Sequence, residues 1–186
     1  MDNSLRKFAG LCGFIGPFVT LLFIVLAITQ APWFDFNQHW LSELGVGEPA
    51  IFFNTGLILG GIFTIIFSWE FSKYNLAGYI LMAAGACIIG IGVFPIPYGV
   101  LHQDISASFF VLMTVTLMTV AIIGRKFSFR MRLFSFVLSW IGLIAWFPYF
   151  VLGGGAREMI ASLAYAVFMV PFGIRLGLMN THGGKK

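Results

Sequence analysis

The side chains able to do chemistry gather in a few places between long apolar runs. His39, Ser42 and Glu43 lie in the stretch PWFDFNQHWLSELGVGEPAIFFN (32–54), which ends on Asn54; His102, Asp104 and Ser106 come further on, and Arg157 with Glu158 opens the last run. His39, Glu43 and His102 together offer two nitrogens and an oxygen, which would leave zinc one open position where a bound water is activated. That pattern points to a metal-dependent hydrolase acting on a membrane lipid, although His and Glu four apart with a distant His also arise easily by chance. Ser42 or Ser106 with His102 as base and Asp104 as orienter would instead give acyl transfer, and Asp104 suits a helix cap equally well. Haem ligation by His39 and His102 is disfavoured, because both sit at the surface end of their segments rather than deep in facing helices.

A reading without catalysis uses the same residues as a pocket. His39, Ser42, Glu43, Asn54, His102, Ser106 and Arg157 would bind a lipid headgroup or a small amphiphile, with Arg157 as the clamp for a phosphate or carboxylate. A third reading is structural: Glu43 pairs with Arg157 or His102 and so pins a short helix to the rest of the chain, while Asn54 satisfies loop carbonyls.

Positioning these residues is the task of strongly apolar elements. Of 186 residues, 59% are hydrophobic and only 10% charged, far from the ~25% charged of a soluble domain. A membrane helix needs ~20 apolar residues, and six stretches meet that need: 7–28, 49–71, 76–93, 102–124, 132–152 and 156–178. The expected fold is therefore all-α, a single transmembrane domain of six spans. The first run resembles a signal peptide, but it is long and lacks a small-x-small cleavage site, so it is read as a retained span.

Orientation follows from the cations. With alternating spans, Arg6, Lys7, Lys73, Arg125, Lys126, Arg130, Arg132, Arg175, Lys185 and Lys186 fall on one side, and only Arg157 on the other. The positive-inside rule then puts both termini in the cytoplasm of a cell-membrane protein and the candidate site outside. This topology accounts for the net charge of +4 through the anionic inner leaflet, so membrane lipids and not nucleic acid are the expected partners.

Smaller signals fill in the picture. Asp35 and Gln38 read as an N-cap and its reciprocal partner, with Gly45 as the stop, so 36–44 is expected to be a short amphipathic extracytoplasmic helix. Its apolar side would carry Phe36, Trp40, Leu41 and Leu44, with Gln38 and Ser42 facing away, and Trp33 would anchor at the interface. Glycines at 10, 13, 16, 56 and 60 predict close helix packing without fixing an oligomeric state. Pro17, Pro148 and Pro171 should bend their spans, and Glu70 with Lys73 should pair locally. Cys12 and Cys87 read as packing residues. The two halves do not repeat, and no charge lies mid-span, which weighs against a transporter.

The segments HWLSELG, IFFN and GVFPIPYGVLHQDISASFF resemble the family of small polytopic membrane proteins catalogued as DUF998. Its recurring features fall here on Trp40, Ser42, Glu43, Leu44, Gly45, Phe53, Asn54, Phe94, Pro95 and His102. The resemblance implies a helical membrane fold and marks where a site lies, and it brings no established activity with it.

Overall fold

Each long apolar run becomes a helix because in hydrocarbon the backbone must satisfy its own hydrogen bonds. A computed structural model describes residues 3–146 and 152–178, and within them the regular structure is helical throughout. Six α-helices follow one another: α1 Asn3–Thr29, α2 Ala50–Ser72, α3 Ala77–Val93, α4 Val100–Ile123, α5 Phe129–Ile144 and α6 Gly154–Leu178. Two short 3-10 helices, Leu41–Gly45 and Ile96–Tyr98, sit in the connections before α2 and α4. Four of the helices, α1, α2, α4 and α6, are long and apolar enough to cross a membrane, and α3 is apolar but shorter.

Each helix packs on its sequence neighbours, and α6 returns to pack on α1, so the six close into a ring. The seam between α6 and α1 depends on glycine. A methyl group at Gly10 would lie 2.5 Å from the Gly177 nitrogen, and one at Gly173 would lie 2.6 Å from the Phe14 nitrogen, so the two backbones touch. Gly56 and Gly60 make room for the side chains of Phe23 and Thr20 where α2 meets α1. Close approach of this kind is how membrane helices gain contact without a hydrophobic driving force.

Large apolar side chains point outward around the ring, including Phe8, Phe18, Leu22, Ile51, Val111 and Ile122. This is the surface a bilayer would cover. At one end of the ring Phe67, Phe71 and Phe127 stack in turn, Phe172 meets Phe127 edge-on, and Arg175 lies over Phe127. There Arg132 donates from Nε to the Ala121 carbonyl (2.9 Å) and from Nη2 to the Ile122 carbonyl (3.0 Å), capping the end of α4 and stapling α5 to it. Lys73 pairs with the buried Glu70 at the same end, as the spacing predicts. Pro17 and Pro171 both lie inside helices; Pro148 falls outside the described residues.

The short amphipathic helix over 36–44 does not form. Asp35 Oδ1 accepts from the Asn37 N–H (2.7 Å), and its carbonyl accepts from the N–H groups of Gln38 and His39, making a tight turn. Trp40 is then extended (φ −83°, ψ 146°), and a 3-10 helix runs only from Leu41 to Gly45. Asp35 uses its side chain in a local turn, the competing habit of this residue type. As a result Ser42 is buried rather than outward, while Phe36 and Trp40 are exposed. Asp104 is not the cap of α4 either: Gly99 stands at that position, with φ +60°, a conformation that favours glycine.

Candidate functional site

The end of the ring opposite the basic cluster holds a constellation centred on Glu158. The connection after α1 lies across this end, tied to the start of α6 by two backbone bonds: Gly155 N–H to the His39 carbonyl (2.7 Å) and Ala156 N–H to the Phe36 carbonyl (3.1 Å). This brings the first turn of the 3-10 helix over α6, where Ser42 N–H donates to Glu158 Oε2 (3.2 Å). The N–H of Leu41 and the hydroxyl of Ser42 also face that carboxylate. Glu158 is only 9% exposed, so a carboxyl group is held under the connection by donors from a segment more than a hundred residues away.

His102 is placed from the other side of the ring. Its Nδ1 meets the Phe94 carbonyl at 2.8 Å, which assigns the proton to Nδ1 and leaves Nε2 as an acceptor in the neutral ring. Nε2 lies 3.5 Å from the Ser106 Oγ, one turn further along α4. The expectation that these two share a face holds, because residues four apart on a helix stand one above the other.

Between α4, the end of α5 and α6 lies a cavity of about 750 Å³. Ser42, His102, Gln103, Ser106 and Glu158 line its upper part; Phe110, Val111, Val115, Leu143 and Tyr165 line the rest. Gln103, Ala107, Val111 and Val115 form one row on α4, and all four are exposed on the outside of the ring. The cavity is thus a slot open to the side, and the 12 steps from Gln103 to Val115 at ~1.5 Å each run ~18 Å, about one leaflet of a ~30 Å hydrocarbon core. Trp146, at its wall, packs on Phe110 (centroids 4.7 Å) and stacks on Trp40 (6.4 Å). Among the described residues its buried indole N–H has no partner. A smaller space of about 100 Å³ continues into the ring past Ser106, Phe110, Glu158 and Tyr165, which line both. At their common boundary Tyr165 OH and Thr114 Oγ1 are 3.0 Å apart.

The other residues singled out from sequence are placed elsewhere. His39 Nδ1 accepts from the Asp35 N–H (3.2 Å), and the ring sits against Trp33. Glu43 Oε1 accepts from the Trp40 N–H (2.8 Å) and so closes the start of the 3-10 helix. Asn54 Nδ2 donates to the Gly45 carbonyl (3.1 Å), the loop-satisfying role expected of it, with Oδ1 left buried and unpartnered. Arg157 Nε donates to the Leu152 carbonyl (2.8 Å), and the residue does not line the slot. Of the seven, the slot brings together Ser42, His102 and Ser106. Among the described residues, no three His, Cys, Asp or Glu side chains are grouped so as to hold a metal ion.

In the sequence Glu158 stands out only as the residue that opens the last apolar run beside Arg157. The signal was available: it falls on the same 3.6-residue stripe as Ala161, Tyr165, Phe168 and Phe172, all buried, and a carboxylate on the packed face of a membrane helix calls for a role.

An all-helical ring with an apolar exterior, a polar-topped slot and four helices of membrane-spanning length defines a membrane protein. The profile of the family described as protein of unknown function DUF998 matches residues 14–178, and the chain belongs to that family. No curated protein and no solved structure matches the chain.

Proposed function

We propose that this protein crosses the cell membrane six times, with both termini in the cytoplasm, and binds a membrane amphiphile in the side-opening slot near the extracytoplasmic face. The carrying observation is the slot: about 750 Å³, inside the ~300–1,000 Å³ range of small-molecule sites. Its polar groups sit at one end, and apolar walls run toward mid-bilayer. A headgroup would rest against Ser42, His102, Ser106 and Glu158, while the tail would lie along Ala107, Val111 and Val115 and enter from the surrounding lipid. The indole N–H of Trp146, without a partner among the described residues, gives the wall a donor that a ligand oxygen can meet.

The test is extraction and mass spectrometry of the amphiphiles that co-purify with the full chain in mild detergent, compared with Ala107→Trp. Ala107 is exposed and lines the slot, so a large ring there should block it without touching the core. A species enriched with the wild type and lost in Ala107→Trp supports the reading. Equal recovery from both proteins sinks it.

A further inference from the structure

We infer that the slot selects an amphiphile with an ammonium headgroup over one with a phosphate. This rests on the amphiphile-binding reading and specifies its ligand. Among the described residues lining the slot, the one carboxyl side chain is Glu158, and no Lys or Arg is present. A phosphate placed beside that carboxyl group would be desolvated with no Lys or Arg to offset its charge, whereas an ammonium group would favour the carboxylate form and pair with it. Arg157, the obvious clamp from sequence, instead meets the Leu152 carbonyl outside the lining.

The remaining groups at the upper end favour a cation as well. His102 and Ser106 line this end together, with Nδ1 of His102 taken by the Phe94 carbonyl and Nε2 facing the Ser106 hydroxyl at 3.5 Å. Trp40, Phe110, Trp146 and Tyr165 are slot-lining aromatics, and ring faces attract ammonium groups by ~0.5–2 kcal/mol each, more where water is excluded. The Glu158 carboxylate takes its chain donors from the 3-10 helix above it, and a carboxylate offers about four acceptor positions, so capacity remains on the slot side.

The experiment uses the full chain in nanodiscs of an uncharged galactolipid and three photoactivatable single-chain amphiphiles. They share one tail and differ in headgroup: trimethylammonium, phosphate or maltoside. Crosslinks on α4 and the end of α5 are mapped by mass spectrometry and divided by those on the lipid-facing side of α1, which removes differences in partitioning. The expected result is roughly tenfold more slot labelling by the ammonium probe than by the phosphate probe. Glu158→Gln should bring the two near parity. Because Glu158→Gln also loosens a structural contact, Gln103→Lys provides an independent variant at an exposed slot position and should reverse the preference. Phosphate labelling equal to or above ammonium in the wild type overturns the inference, as does maltoside labelling equal to ammonium, though either leaves amphiphile binding standing. Absence of slot labelling by all three probes overturns the amphiphile reading itself.

Discussion

Ser42 donates its backbone N–H to Glu158 across 116 residues of sequence, a bond that fastens the connection after α1 to the last helix. Leu41 and the Ser42 hydroxyl face the same carboxylate, so removing it orphans several buried donors at once. Glu158→Ala should therefore cost about 1–3 kcal/mol per unsatisfied group, and Glu158→Gln less, since its carbonyl oxygen still accepts. Hydrogen exchange at residues 40–46 in detergent is the direct readout. Unchanged protection in Glu158→Ala would mean that the bond does not hold the connection down.

The ring closes where α1 and α6 touch, and the two glycines facing each other there are not equivalent. A methyl at Gly10 would meet backbone atoms of α6 at 2.5–2.8 Å, whereas one at Gly177 has its nearest neighbour at 3.9 Å. Overpacking costs about 1–3 kcal/mol, more where rigid backbone must move. Gly10→Ala should lower the melting temperature clearly and Gly177→Ala hardly at all. Equal effects, or the reverse order, would contradict the closed ring.

The helices were legible because hydrocarbon leaves the chain few choices: a run long and apolar enough to cross has to satisfy its backbone as a helix. The starts and ends of α1, α2, α3, α4 and α6 fall within a few residues of expectation for that reason. The connection over 36–44 was misread because a nine-residue apolar period competes poorly with one Asp able to build its own turn, and Trp40 then leaves helical geometry altogether. The site was half legible. Ser42, His102 and Ser106 lie in the slot, but residues grouped by membrane side need not share a cavity, and Arg157 and His39 use their ring or guanidinium nitrogens on nearby backbone. Glu158 was hidden by being read in isolation, when its stripe of buried neighbours on α6 carried the information.

His39 and His102 should behave independently. A zinc site shared by both would make His39→Ala and His102→Ala equivalent, each losing metal. Here His102 is buried and holds the Phe94 carbonyl at the join of α3 and α4. His102→Ala is expected to cost about 1–3 kcal/mol by stranding that carbonyl, and His39→Ala under about 1 kcal/mol, because it supports only an exposed turn. Thermal unfolding of the two variants, with elemental analysis of protein purified without chelators, separates the cases. Stoichiometric zinc lost in both would overturn this assignment.

Six spans require the short helices to cross. The 17 residues of α3 reach only ~25 Å and the 16 of α5 ~24 Å, against a hydrocarbon core of ~30 Å, so local thinning or tilt of the longer neighbours must accommodate them. The exposed Tyr98 follows α3, and the exposed Arg125 follows α4. In a background of Cys12→Ala and Cys87→Ala, a membrane-impermeant maleimide applied to intact cells should label Tyr98→Cys and Gln38→Cys, while Arg125→Cys reacts only after permeabilisation. If α3 did not cross, Tyr98→Cys and Gln38→Cys would lie on opposite sides of the membrane. Labelling of Arg125→Cys in intact cells, with Gln38→Cys protected, would invert the orientation drawn from the basic residues and move the slot to the cytoplasmic leaflet.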